Sequence, residues 1–519
     1  VLLASLLMVV AQDGGLAQVR SLQLDGAWRP TAAALCELDG DGLEDVVIAA
    51  RESGKDFARE LQLWRAVAGG AVSLSERFAL TPDVVAWAAA DVRAGGAAEI
   101  VLFTASGAFS WRPSGPQETR LERLASLDLL WQLPEPGEAF HLPDLVRDLD
   151  GDGLADLAVP APGGYTLVFQ RRPRADGAEF GPLQRLRVPI EVRAPGAWVS
   201  ASPQEGVSVR GRRRERELSI RLGSDVGEED EGGAQVLVQV NETAPCPQWS
   251  DWDADGRLDL IVQTPSKLHV WRQLTAGQFE SEPGVSLDLP VDADRTRRLD
   301  TSYSSHIVDL DNDRRADCFV FAGDKRSSDV RAQGLVFTQR GAGEGPPLFG
   351  ANGRPSALMV FGGFVAGPSF SDLDGDGWAD LTLRAVRPDL IDQLRSVANE
   401  SIEAEFYVYR NQNGRFGKQP DLVWRHSIPV KRFQLTSSFC GDLTGDRVSE
   451  LLVRDTPTEL RLLMVRAAPK GGPWSVIEKP LWKLAVDARA DVEYVSAVAG
   501  GKPRVLVIEP AQVLYVRFP

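Results

Sequence analysis

The chain has 519 residues, and 57 Lys and Arg against 73 Asp and Glu give a formal charge of −16. Hydrophobic residues at 43 % and charged residues at 25 % describe a core-forming chain and exclude disorder over most of it. The acidic excess argues against nucleic-acid binding, which needs clustered Lys and Arg, and four Cys in so long a chain exclude a disulfide-framed scaffold.

The chain opens on an apolar run, Val1 to Ala11. It is too short for a bilayer, which takes about 20 residues, and fits the apolar region of a secretory leader with small residues at Ala11 or Ala17 for cleavage. Residues 1–17 are therefore expected to be a signal peptide, with its start possibly upstream, and 18–519 a single domain. No other stretch has the length and apolarity of a membrane helix. Arg outnumbers Lys 48 to 9, which suggests a bacterial chain, expected in the periplasm or outside the cell.

From residue 37 onward one nine-residue acidic pattern recurs five times. Its carboxylates stand at positions 1, 3, 5 and 9. They are Glu37, Asp39, Asp41 and Asp45; Asp148, Asp150, Asp152 and Asp156; Asp251, Asp253, Asp255 and Asp259; Asp309, Asp311, Asp313 and Asp317; and Asp372, Asp374, Asp376 and Asp380. Position 6 is Gly in four of the five and Arg314 in the other. A degraded copy, Asp442 to Glu450, has Thr444 at position 3 and Arg447 at position 6, and eroded copies begin at Asp91 and Ala497. Each copy is preceded by a short, mainly apolar segment and followed by an apolar, often β-branched run such as Asp45-Val-Val-Ile-Ala-Ala50. Strand, acidic turn, strand is the local reading. Most intervals between copies are 54–70 residues, and only that from 148 to 251 is longer. Sixty residues with one such turn suit a four-stranded antiparallel blade, and blades packed radially make a β-propeller. Segments 165–169 and 406–410 read as third strands, with the Phe180-Gly181 and Phe416-Gly417 pairs leading into fourth strands. Eight copies predict eight blades in preference to seven. The orphan segment Val19 to Asp25 is expected to close the last blade.

These loops and Phe-Gly pairs resemble the FG-GAP (VCBS-type) repeats also found in integrin α subunits. The resemblance covers nearly all of 18–519 and implies an all-β propeller with calcium-binding turns.

Four aspartates at this spacing, with Gly at the sharp bend, form an oxygen-only cage. Oxygen ligands suit Ca²⁺ first and Mg²⁺ second, and the absence of thiolate and imidazole argues against zinc. An EF-hand needs Glu at position 12, where this chain has Ile48, Val159, Val262, Val320 and Leu383. About five Ca²⁺ sites are expected. The 442–450 loop is expected to bind poorly, and those at 91 and 497 not at all. Arg314 is expected to take a positive φ.

Residues 187–247 read as a charged insertion, a hairpin followed by an acidic loop. Residues 387–405 read as an insertion carrying an amphipathic helix. The four His, at 141, 269, 306 and 426, form no metal-spaced pair, and no nucleophile elbow, zinc-protease or phosphate-loop motif occurs. The chain is thus expected to be a monomeric, non-catalytic binding, adhesion or structural module for an extracellular glycan or protein. A propeller lyase or hydrolase acting on polysaccharide is the alternative.

Overall fold

The structure is a computed structural model that describes residues 16–54, 58–67, 71–92, 97–104, 106–113, 121–129, 140–174, 177–181, 183–188, 197–202, 206–212, 216–222, 236–242, 247–264, 267–289, 301–324, 331–339, 355–362, 364–386, 401–429, 436–467, 472–495 and 504–518. The apolar runs after the acidic turns are second strands of four-stranded antiparallel sheets. In the first sheet Trp28–Cys36, Asp45–Glu52, Arg59–Ala66 and Val72–Leu80 pair in chain order. Val46 to Ala50 are at most 2 % exposed. Val47 and Ala49 pack against Trp87 and Leu102 of the next sheet, while Val46, Ile48 and Ala50 pack against Leu506 and Val513 of the last. A strand buried on both faces has no polar face to alternate with, so its sequence reads as a continuous apolar run.

The same packing repeats around a ring of eight blades. The first strands of blades 2 to 8 are Val84–Ala90, Val146–Arg147, Pro247–Ser250, Thr301–Val308, Phe364–Ser371, Thr436–Phe439 and Asp491–Val495. Eight apolar clusters each join two consecutive blades, and the eighth joins blade 8 to blade 1. Eight interfaces for eight blades close the ring, so the expected eight blades form and the seven-blade alternative falls. Both eroded units build complete blades. Many tryptophans, among them Trp87, Trp111 and Trp271, are spent between blades.

Gln18–Gln23 pairs antiparallel with Gln512–Arg517, from Gln18 opposite Arg517 to Gln23 opposite Gln512. The N-terminal strand thus becomes the outer strand of blade 8, as the orphan segment suggested, and Leu22 packs among Ile48, Leu506 and Val513.

Two readings are corrected, and a third lies mostly outside the described residues. Residues 187–247 supply four strands, Ala197–Ser202, Gly206–Arg212, Arg216–Leu222 and Val236–Glu242, in one antiparallel sheet, where a single hairpin was expected. Blades 3 and 4 pack directly on each other through Phe169, Leu186, Leu260 and Trp271, so this sheet is an insertion and not a ninth blade. The expected helix falls on residues outside those described, while 401–405 begin the strand Ser401–Tyr409. Phe180 ends a small hairpin, Gln170–Arg174 with Gly177–Phe180, and Phe416 bridges to Asn411. The fourth strands start later, at Gln184 and Leu422.

Ring closure through Leu22 sets the first test. Leu22→Ala should lower the unfolding free energy by about 2–5 kcal/mol in urea denaturation. Gln23→Ala, on the exposed side of the same strand, should change it by less than about 0.5 kcal/mol.

Candidate metal centres

Each acidic turn links the first and second strands of its blade, and its side chains build it. The position 1 carboxylate accepts backbone N–H groups from inside the loop. Asp148 Oδ1 takes that of Gly151 at 2.7 Å and Oδ2 that of Gly153 at 2.9 Å, and Asp372 does the same with Gly375 and Gly377. The position 5 carboxylate accepts the position 7 N–H, Leu154 to Asp152 at 2.8 Å and Trp378 to Asp376 at 2.9 Å. Position 6 takes a positive φ throughout: 77° at Gly42, 87° at Gly153, 85° at Gly256, 86° at Gly377, and 70° at both Arg314 and Arg447. Position 4 does so too, at Gly40, Gly151, Ala254, Asn312, Gly375 and Gly445. This second left-handed residue was not anticipated, although Gly in four copies and Asn in a fifth signalled it.

The position 9 carboxylates are fully buried. One oxygen accepts the position 2 N–H, as Asp156 does from Leu149 and Asp259 from Trp252, both at 2.9 Å. The other accepts an N–H at or just beyond the end of the third strand: Ala66 to Asp45 at 2.9 Å, Gln170 to Asp156 at 2.8 Å, Gln273 to Asp259 at 2.7 Å, Gln339 to Asp317 at 2.6 Å and Asn411 to Asp380 at 2.8 Å. Position 9 is therefore a brace that ties turn to strand. Burial pushes the carboxyl groups of Asp156, Asp317 and Asp380 up to about 7 and that of Asp259 up to about 6, against the pull of these N–H groups.

Three carboxylates converge in each of the five loops. Glu37, Asp39 and Asp41 offer oxygens within 4.8 Å of one another, as do Asp148, Asp150 and Asp152, and Asp251, Asp253 and Asp255. In the other two loops the convergent sets are Asp309, Asp311 and Asp317, and Asp372, Asp374 and Asp380. The position 3 residues Asp150, Asp253, Asp311 and Asp374 have raised pKa values, from burial first and neighbouring carboxylates next. Asp253, Asp309, Asp311 and Asp374 each keep a buried Oδ1 without a hydrogen-bond partner. A bare buried carboxylate oxygen facing other carboxylates is costly unless a cation joins them, so the donor set fits a hard, oxygen-seeking ion. Guanidinium groups also reach single loop carboxylates: Arg65 Nη1 lies 2.7 Å from Asp39 Oδ2 in blade 1, Arg257 pairs with Asp255 in blade 4, and Arg410 Nη1 lies 3.8 Å from Asp374 Oδ2 in blade 6.

The altered loops replace this charge pattern with protein groups. In the 442–450 loop Thr444 Oγ1 donates to Glu450 Oε1 at 3.0 Å, filling position 3 with a hydroxyl. In blade 2 Glu99 stands at position 9, accepts the Val92 N–H at 3.2 Å and pairs with Arg112 at 2.9 Å. The loop at 497 lies outside the described residues. Ile48, Val159, Val262, Val320 and Leu383 at position 12 are fully buried and apolar, so an EF-hand is excluded. The four His stand in different blades. His141 lies on Trp87, His269 bonds Ser286 at 2.8 Å, His306 sits by Phe319 and Phe370, and His426 stacks on Trp424. Cys36, Cys318 and Cys440 are free thiols.

Brace and cluster separate by mutation. Asp156→Asn sets an amide NH₂ against an N–H and should cost about 1–3 kcal/mol in urea denaturation with chelator present. Asp152→Asn keeps an oxygen for Leu154 and should change stability by less than about 0.5 kcal/mol there.

Two family models match: the FG-GAP repeat over residues 144–178 and the FG-GAP-like repeat over 251–320. No curated protein matches the chain. Among solved structures, an Agrocybe aegerita lectin that recognises non-reducing terminal N-acetylglucosamine is 16 % identical over 76 % of this chain and 90 % of its own, with a TM-score of 0.27. The Pseudomonas aeruginosa periplasmic gluconolactonase PpgL is 14 % identical over 76 % and 98 %, with a TM-score of 0.26. The V. cholerae biofilm matrix protein Bap1 is 12 % identical over 97 % and 91 %, with a TM-score of 0.23. Repeats read from the sequence, built as blades and matched by two family models within blades 3 to 5 support assignment to the FG-GAP repeat family.

Proposed function

We propose that this chain is a secreted, calcium-stabilised propeller that works as a non-catalytic binding module for an extracellular glycan or protein. The observation that carries the calcium reading is the set of buried, unpartnered carboxylate oxygens at Asp253, Asp309, Asp311 and Asp374. Bound Ca²⁺ would supply the positive charge that these oxygens lack. Positions 1, 3 and 5 would hold it, with position 9 behind them as brace and further donor. Oxygen-only ligation favours Ca²⁺ over Zn²⁺, and a loop that flexes about two left-handed residues suits its irregular shell better than the octahedron of Mg²⁺.

For the binding role, a cleft of about 470 Å³ opens between blades 3 and 4, lined by Asp150, Phe169, Arg171, Leu183, Gln184 and Gln278 among others. Opposite charges, amides and an aromatic floor suit a neutral polyhydroxylated ligand, with hydroxyls on the polar groups and C–H faces on Phe169 and Leu183. Among the described residues no helix is long and apolar enough to cross a membrane. The polysaccharide lyase or hydrolase remains the second reading, and depolymerisation of a polysaccharide would be its sign.

Two outcomes are expected. Mass action at ~10 mM Ca²⁺ against sites of ~10⁻⁴–10⁻³ M stabilises by about 1–3 kcal/mol per occupied site. Chelation should therefore lower the Tm by several degrees, with recovery in Ca²⁺. An unchanged melt together with no calorimetric Ca²⁺ heat contradicts the calcium reading. On a glycan array the chain should retain neutral sugars, and Arg171→Glu should weaken that retention about tenfold or more without changing the melt. Retention that is unaffected by Arg171→Glu places the ligand elsewhere.

A further inference from the structure

The braces leave one set of side chains unexplained. In blades 4, 5 and 6 the residue whose backbone N–H meets the position 9 carboxylate is itself a buried amide: Gln273, Gln339 or Asn411. Gln273 Nε2 donates to the carbonyl of Leu149 at 2.7 Å, and Asn411 Nδ2 to that of Leu310 at 2.6 Å. Gln339, in the amide orientation that satisfies both groups, donates to the Trp252 carbonyl at 2.6 Å and accepts from Trp252 Nε1 at 3.3 Å. All three acceptors are position 2 of the loop in the preceding blade. Each amide thus holds its own blade's loop with its backbone and the neighbouring loop with its side chain.

The three links run without a gap through the loops of blades 3, 4, 5 and 6. A second contact accompanies two of them. A Cβ on Gly277 would lie 3.1 Å from Asp150 Oδ2, and one on Gly414 would lie 2.8 Å from Asp311 Cβ, so these turns rest on position 3 of the preceding loop. The series stops where the intact loops stop. Gln170, the equivalent residue of blade 3, follows the eroded loop of blade 2, and neither of its amide atoms has a hydrogen-bond partner. In blade 1 the equivalent residue is Ala66, which has no side-chain donor.

We propose that the loops of blades 3 to 6 form one cooperative unit joined by Gln273, Gln339 and Asn411, while the loop of blade 1, whose Glu37 carbonyl accepts the Ala98 N–H of the eroded blade 2 loop at 2.7 Å, lies outside this chain of amides. The cooperative ligand is Ca²⁺, so this inference rests on the calcium reading above. The position 2 peptide is gripped on its N–H side by its own Asp and on its carbonyl side by the next blade. A loop that tightens around a cation moves that peptide and, through the amide, the next brace. Even a modest coupling free energy of this kind changes a neighbour's affinity about fivefold.

Gln273→Met is near-isosteric. It removes the link between blades 3 and 4 and leaves the backbone bond to Asp259 in place. Exposed Gln419→Met is the control. In chelator, hydrogen exchange should quicken at least about threefold in 148–156 of Gln273→Met and stay unchanged in the control. Asn411→Leu should do the same to 309–317, which covers the case in which Gln273→Met does not fold. In calorimetric Ca²⁺ titration the wild type should show one independent site and a set with a Hill coefficient above 1. In Gln273→Met that coefficient should fall toward 1, with affinity at loop 148–156 down about fivefold or more. Unchanged exchange in both variants, or unchanged cooperativity in Gln273→Met, overturns the relay. A wild type that takes up no Ca²⁺ but shows the exchange effect overturns the calcium reading and leaves the mechanical link standing.

Discussion

A buried carboxylate that accepts backbone N–H groups is the interaction on which the described acidic turns of this ring depend. Asp156 shows it in full, with Leu149 of the turn on one oxygen and Gln170 beyond the third strand on the other. Charge-assisted bonds of this kind are short and strong, and burial makes the loss of one partner costly. The first bond persists even in altered copies, where Glu99 holds Val92 and Glu450 holds Leu443. The second partner varies: a backbone N–H in the five intact loops, Arg112 in blade 2 and Thr444 in blade 7. In the described loops from blade 1 to blade 7 the repeat keeps a carboxylate at position 9 that secures the turn.

The other carboxylates then have a separate task. Positions 1, 3 and 5 crowd like charges at the rim of a turn whose backbone is already secured, and crowded like charges raise one another's pKa. In blade 2 Arg93 and Gly95 stand at positions 3 and 5, so no cluster forms, and Thr444 in blade 7 removes one of the charges. The five intact loops keep the charges, about a quarter of the chain's acidic residues in five short segments, and those of blades 4, 5 and 6 also keep bare oxygens. The −16 formal charge is thus concentrated in a set of turns and is not a general property of the surface.

Much of this was legible beforehand for physical reasons. An apolar run such as Val46 to Ala50 after an acidic turn marks a strand buried on both faces, and its recurrence in every unit located the blades. The segment near Leu22 had no partner in its own unit and so could be assigned to the last blade. Arg314 stood where the turn bends, which is why its positive φ could be anticipated. Other features were hidden because spacing carries no distance. The shared carboxylate chemistry of positions 1, 3, 5 and 9 concealed that position 9 faces the sheet. The inter-blade amides could not be found either, since Gln273 and Leu149 are 124 residues apart. The hairpins ending at Phe180 and beside Phe416 were taken for strand entries because a Phe-Gly pair looks alike in both settings.

The central claim is that the five acidic turns hold calcium, and counting the ions on the intact folded chain tests it most directly. Native mass spectrometry after equilibration with Ca²⁺ should resolve a species carrying five ions, with Asp374→Asn reduced to four and Thr444→Ala unchanged. A folded chain that emerges without bound calcium, or one whose ion count is indifferent to Asp374→Asn, would contradict the account.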